Sequence, residues 1–278
     1  MAKQPRSLSG KVVVITGGGR GIGAATVSAL VAHGAKVVIG DIDLATAEET
    51  AQRLDKEPIA LQVDVTDPEA FTAFLDEAQR RAGPIDVLIN NAGIMPLGPA
   101  DEEPTGTARK QLEINLFAVI HGTKEAMRRM KARRRGHIVN IASIAGVGGF
   151  PGGATYCATK HGVVGFSDAV ARELRGTGVD ISVVLPGIVR TELASGLGEA
   201  KLVKSVAPED VAAAIVRVLQ FPRFDVFVPG FAGALLKLPR ALPRGFTDWM
   251  ARTLKADQLL ASGAHSAERT AYEQRVRG

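Results

Sequence analysis

From Lys11 to about Gly230, short runs rich in valine and isoleucine alternate with longer stretches in which apolar residues recur every three or four positions. The short runs have the length and branching of buried strands and the longer ones have a helical period, which is the pattern of repeated βαβ units. Strands are predicted near residues 11–16, 35–40, 59–63, 85–90, 136–142, 179–185 and 224–228, with helices between them. The fold class expected is α/β: a doubly wound, seven-stranded, mainly parallel sheet with helices on both faces. Ligands of such sheets bind outside the carboxyl ends of the strands. The loops after Ile15, Ile39, Val63, Ile89, Ile141 and Leu185 are therefore where a site is expected. With no repeat, low-complexity segment or boundary in view, residues 1–230 read as a single catalytic domain and 231–278 as an extension.

The first strand runs into Gly17, Gly18, Gly19, Arg20, Gly21, Ile22 and Gly23, and a helical pattern follows. A loop without side chains lets a pyrophosphate approach the backbone, and the helix start adds free N–H groups and a positive dipole end. The spacing is G-x-x-x-G-x-G rather than G-x-G-x-x-G, so the strand and helix flanks carry more weight than the glycines. Asp41 closes the second strand, where an acidic side chain would accept hydrogen bonds from the adenosine ribose and repel a 2′-phosphate. This predicts NAD in preference to NADP. Three alternatives stay open: Arg20 compensating the charge, Asp43 as the true partner, and a helix N-cap ahead of Leu44. Asp64 and Val65 follow the third strand, either at an adenine edge or in a turn. Asn90, Asn91, Ala92 and Gly93 end the fourth, leaving room for a cofactor and tying strand ends together, or forming an ordinary turn.

Tyr156 and Lys160 lie four positions apart at the start of a helical stretch and so share one face. An ammonium beside a phenol, joined by an oxidised nicotinamide, favours the phenolate, which predicts a lowered tyrosine pKa and a group able to take or give a proton. Ser143 follows the buried run His137 to Ala142, at the same sheet edge, and its hydroxyl can hold a reacting oxygen against Tyr156. Asn115 is polar amid Leu112, Ile114, Leu116 and Phe117; a bound water linking it to Lys160, or a hydrogen bond to helix backbone, would satisfy it.

Taken together, Thr16 to Gly23, Asn90 to Gly93, Asn115, Ser143, Tyr156, Lys160, Pro186 and Gly187 resemble the short-chain dehydrogenase/reductase family over about residues 8 to 230. The resemblance implies a single Rossmann-type domain with Tyr156 as acid/base and Lys160 gripping the nicotinamide ribose. It further implies Ser143 orienting substrate, Asn115 in a proton relay, and Ile188 and Thr191 lining the nicotinamide amide. It also suggests a homo-oligomer, dimer or tetramer, paired through the helices bearing Asn115 and Tyr156.

Composition narrows the remaining readings. One cysteine, Cys157, excludes an internal disulfide, and no apolar run is long enough to span a bilayer; a cytoplasmic protein is expected. No His, Cys and carboxylate cluster has metal-ligand spacing, so no metal is predicted. Of the net charge of +5, residues Lys237, Arg240, Arg244, Arg252 and Lys255 against Asp248 account for +4, which argues against a general nucleic-acid binder. The cluster Arg128, Arg129, Lys131 and Arg133 to Arg135 reads as a solvated helix end. Within the extension, Phe246, Trp249, Met250, Thr253 and Leu254 recur at helical spacing. Segment 231–255 would then lid a hydrophobic cleft, cover a neighbouring subunit or rest on an anionic membrane surface. Residues 266–278 read as a polar helix without assignable function. The function expected is an NAD-dependent dehydrogenase acting on a lipophilic secondary alcohol or ketone. The alternatives are an NADP-dependent carbonyl or 3-oxoacyl reductase and a non-catalytic dinucleotide-binding sensor.

Overall fold

The computed structural model describes residues 4–55, 58–194 and 205–233, together with Arg269 and Tyr272. Seven strands form one sheet: β1 (Val12–Thr16), β2 (Lys36–Asp41), β3 (Ile59–Gln62), β4 (Val87–Asn90), β5 (Gly136–Ile141), β6 (Val179–Pro186) and β7 (Asp225–Val228). Their order is β3-β2-β1-β4-β5-β6-β7 and every pairing is parallel, so the expected "mainly parallel" sheet is parallel throughout. The seven helices are α1 (Gly21–Ala32), α2 (Leu44–Gln52), α3 (Pro68–Ala82), α4 (Thr105–Leu112), α5 (Ala118–Lys131), α6 (Ala154–Glu173) and α7 (Pro208–Gln220) among the described residues.

Both faces of the sheet are covered, which is why the strands read as continuous apolar runs. In β1, Val13 and Ile15 point into a core shared with α1, α2 and α7, whereas Val14 points into the opposite core with α3, α5 and α6. Local chemistry agrees with this placement. In α3, Phe71, Phe74, Leu75 and Ala78 repeat at helical spacing and are buried. The Asp67 carboxylate caps its start by accepting from the N–H groups of Glu69 (2.8 Å) and Ala70 (3.1 Å), with Pro68 at the first turn. Strand order reverses between β1 and β4, so the crevice between their carboxyl ends is the switch point of the sheet.

The basic cluster at the end of α5 is mostly solvated, as expected: Arg128, Lys131, Arg134 and Arg135 are exposed, and Arg129 and Arg133 are partly covered. Arg129 is largely buried against Glu125 and Asp76, Arg135 reaches the buried Asp86 at 2.7 Å, and Arg133 donates to the Ile85 carbonyl. These arginines tie the end of α5 to β4 and α3. The apolar positions of 231–255 beyond Gly233 lie outside the described residues, so the amphipathic helix expected there is not addressed by the fold. Among the described residues no helix is long and apolar enough to cross a membrane, and no group of three or more His, Cys, Asp or Glu is placed to hold a metal ion.

His137 near the start of β5 gives the fold an acid sensitivity. Its Nε2 lies 2.8 Å from the Ser182 hydroxyl, which itself donates to the Arg223 carbonyl at 2.6 Å. Ser182 must therefore accept from Nε2–H, leaving Nδ1 as a buried acceptor without a partner. Burial draws the His137 pKa from 6.5 down to about 4; Asp180 opposes this and Arg6 adds to it. Between those values the unfolded chain binds a proton that the folded chain refuses, so stability is intact above about pH 6.5 and is lost as pH falls toward 4. Wild type is expected to lose about 3 kcal/mol more than His137→Gln between pH 7 and pH 4 in urea titrations. Parallel losses in the two proteins would count against this assignment.

Candidate active site

The carboxyl edge of the sheet carries a cleft of about 780 Å³, within the size range of small-molecule and cofactor sites. Every predicted site residue except Asn115 lines it: Gly17, Arg20, Gly21, Ile22, Gly23, Asp41, Asp64, Val65, Asn91, Ala92, Gly93, Ser143, Tyr156, Lys160, Pro186, Gly187, Ile188 and Thr191.

At one end the glycine loop makes a backbone cradle. Gly17 lies at φ +63°, and its N–H donates to the Gly40 carbonyl at 2.7 Å. A Cβ on Gly23 would meet the Gly17 carbonyl oxygen at 2.0 Å, so only glycine lets the helix start sit this close to the loop. The Asn91 amide closes the other side, donating to the carbonyls of Thr16 (2.9 Å) and Gly17 (2.8 Å). Arg20 occupies the N-cap position of α1 and makes no side-chain capping bond, so the first turn offers its N–H groups and dipole to an anion.

The two aspartates after β2 have separate positions. Asp43 caps α2, accepting from Thr46 N–H at 3.3 Å, and pairs with Arg20 at 3.0 Å. The cap ahead of Leu44 is thus Asp43, and Asp41 is left facing the cleft. There its Oδ2 accepts from Gly19 N–H at 2.9 Å and its Oδ1 from Asp43 N–H at 3.2 Å. Arg20 also lies 3.5 Å from Glu192, spanning the mouth of the cleft, and both pairs are half-exposed. Asp64 lines the cleft and holds a turn as well, accepting from Thr66 N–H at 2.9 Å and from the Thr66 hydroxyl at 2.7 Å.

At the other end Tyr156 and Lys160 occupy the first turns of α6. Both are buried, and Lys160 Nζ stands 5.7 Å from the tyrosine ring centroid while donating to the Ile141 carbonyl at 3.0 Å. Ser143 follows β5 and accepts from Ala145 N–H at 3.1 Å, which fixes its hydroxyl beside the phenol. Burial pushes the Tyr156 phenol well above its ordinary value, an effect that a hydrogen bond with Ser143 opposes. Burial also draws Lys160 down to about 8. In the protein alone desolvation dominates and keeps the phenol protonated at neutral pH, ready to donate; the lowering expected from the sequence is that of the complex with an oxidised nicotinamide.

Asn115 lies behind the cleft in a π-helical turn, Glu113–Phe117, between α4 and α5. Its Nδ2 donates to the Ile94 carbonyl at 2.8 Å and its Oδ1 accepts from Ile94 N–H at 2.8 Å. The side chain is engaged with Ile94 and so fixes the loop after β4. Cys157 packs with Tyr156, Met95, Leu97 and Ala145, and burial raises its thiol pKa.

Two residues of this region were missed by sequence reasoning. Arg269 and Tyr272, in the stretch read as a polar helix without function, are buried, and Tyr272 lines the cleft. Their spacing of three places both on one helical face. That was the only signal available.

The chain that builds this cleft is similar to known proteins. The family model for short chain dehydrogenases matches residues 11–202. A 3-alpha-(or 20-beta)-hydroxysteroid dehydrogenase of Mycobacterium bovis is 38% identical over 192 residues, covering 69% of this chain and 74% of its own. The 3-oxoacyl-[acyl-carrier-protein] reductase FabG of Escherichia coli is 36% identical over 201 residues, covering 69% and 79%. Among solved structures, a short chain dehydrogenase/reductase from Burkholderia phymatum in complex with NAD superposes with a TM-score of 0.78 at 27% identity, covering 85% of this chain and 95% of that one. A fully parallel sheet in this order, a glycine cradle at its switch point and a match over most of the chain lead to one conclusion: the protein belongs to the short-chain dehydrogenase family of oxidoreductases.

Proposed function

We propose that the chain is an NAD-dependent dehydrogenase acting on a secondary alcohol or the matching ketone, with a lipophilic substrate. The observation that carries this reading is the convergence of Ser143, Tyr156 and Lys160 with the glycine cradle in one cleft. The cradle fits a dinucleotide: Gly23 lets the start of α1 close onto the Gly17 loop, and the α1 N-terminus suits a pyrophosphate. Asp64 and Val65 would flank the adenine, Asn91 to Gly93 the middle of the cofactor, and Pro186 to Ile188 with Thr191 the nicotinamide end. When bound, the nicotinamide supplies or accepts the hydride.

The chain's own part is the proton. In the reducing direction Ser143 holds the carbonyl oxygen and the protonated Tyr156 donates to it. Lys160 then stabilises the phenolate that remains, an electrostatic role strengthened by burial. Asn115, through Ile94, holds the facing loop in register. The hydroxysteroid dehydrogenase and oxoacyl reductase among the relatives support alcohol and carbonyl chemistry. Met95, Leu97, Phe150 and Leu193 cluster around Tyr156 and favour an apolar substrate.

Asp41 supports NAD over NADP, because a 2′-phosphate would meet its carboxylate. Arg20 favours the second reading, an NADP-dependent reductase, since its half-exposed ion pairs are weak enough to be exchanged for a phosphate. Comparing kcat/KM for the two cofactors decides between them. Wild type is expected to prefer NAD, and Asp41→Ala to lose about tenfold or more of that preference. A wild-type preference for NADP would overturn the assignment.

A further inference from the structure

The chain has two tyrosines, and both line the cleft. Tyr156 comes from α6; Tyr272 comes from the far C-terminal end of the chain. The Tyr272 hydroxyl accepts from the Met95 N–H at 3.0 Å. Met95 belongs to the apolar cluster around Tyr156, so the second phenol stands on the wall of the chamber where the first one works. It is close enough to add to the upward shift that burial imposes on the Tyr156 phenol.

Arg269 explains how a distant segment is held there. It is fully buried at 0% exposure, the largest side chain so enclosed among the described residues. Its guanidinium donates to the carbonyl of Met95 and, at 2.9 Å, to that of Leu193. Met95 lies in the loop after β4, and Leu193 in the 3₁₀ turn Glu192–Ala194 after β6. One side chain therefore joins the two loops that flank the catalytic end. The Arg269 Cζ also lies 4.8 Å from the Tyr272 ring centroid, which fixes the ring by a cation–π contact. A guanidinium presents several donors in a rigid plane, and burying it is costly unless carbonyls receive them. A solvated tail has no use for this arrangement.

We infer that Tyr272, pinned by Arg269, forms a wall of the substrate chamber and sets which lipophilic ketones reach Tyr156. The inference rests on the proposed oxidoreductase function. Its ring limits width on the side of the Met95 loop, so bulky ring ketones are held back relative to short linear ones.

The test uses the full chain as wild type, Tyr272→Ala, Tyr272→Phe and Arg269→Met, with butanone and decalone as probes. For each protein, kcat/KM is measured, as are the affinities of both ketones for the dinucleotide-loaded protein and of the dinucleotide itself. Tyr272→Ala is expected to shift the decalone-to-butanone ratio toward decalone by about tenfold or more. Arg269→Met should shift it the same way by freeing the ring, and Tyr272→Phe should keep the wild-type ratio. Dinucleotide affinity should match wild type in all three variants. An unaltered ketone ratio in Tyr272→Ala and Arg269→Met, with dinucleotide still bound, would overturn the inference and leave the proposed function standing. Failure of wild type to bind either dinucleotide would overturn both.

Discussion

Replacing Tyr156 with phenylalanine is expected to lower kcat by about 10² to 10⁴-fold while leaving dinucleotide affinity within a few-fold of wild type. The two variants differ by one oxygen in a buried first turn of α6, and the ring packing with Phe150 (centroids 6.4 Å apart) is retained. Phenylalanine therefore removes the proton donor without removing the wall that carries it. Because burial holds the Tyr156 phenol protonated, the loss should be largest for ketone reduction at neutral pH, where the donor is fully charged with its proton. Steady-state rates together with a fluorescence titration of the dinucleotide separate the two quantities. Turnover that survives in Tyr156→Phe would mean that the proton comes from elsewhere. Weakened dinucleotide binding with unchanged kcat would make Tyr156 a binding residue only.

The second large effect is expected at the opposite end of the cleft. In Gly23→Ala the new Cβ would lie 2.0 Å from the Gly17 oxygen and 2.8 Å from the Gly18 Cα. Both are backbone atoms, so relief requires the loop to open rather than a side chain to turn. Overpacking of this kind costs about 1 to 3 kcal/mol of stability, and the displaced cradle should weaken dinucleotide binding by about tenfold or more. Gly165→Ala is the matched control. It lies in α6 on an exposed face with nothing within 4 Å of its Cβ, and helix propensity predicts a gain of about 0.5 to 1 kcal/mol. Calorimetric titration and thermal unfolding of the two variants check both expectations. Equal dinucleotide affinity in Gly23→Ala and wild type would show that the cradle is not the binding site.

What was legible in the sequence was whatever depends on local pattern. Strand β1 and the loop after it could be read because both faces of the sheet are covered, so apolar runs are unbroken and end where glycine begins. Tyr156 and Lys160 could be read because helical period alone puts them on one face. Environments assembled from distant chain were not legible. Arg129, read with its neighbours as solvated, is largely covered, and its partner Asp76 is remote in sequence. The engagement of Asn115 with Ile94 was not legible because periodicity does not foretell a π-helical turn. The burial that raises the Tyr156 pKa in the protein alone was not legible either, because spacing reports a neighbouring charge but not the depth of burial. Tyr272 was invisible for the plainest reason: its partner Met95 lies 177 positions away, and nothing in the local sequence points to it.

The central claim is that this cleft brings a hydride donor and the Tyr156 proton to opposite ends of one carbonyl bond. It is tested most directly by reducing a ketone with NADH carrying deuterium at its transferable position and examining the alcohol by mass spectrometry. The label is expected on the carbinol carbon of the wild-type product and to be lost with turnover in Tyr156→Phe. Alcohol formed by the wild type without deuterium on that carbon would contradict direct transfer and, with it, the role given to the site.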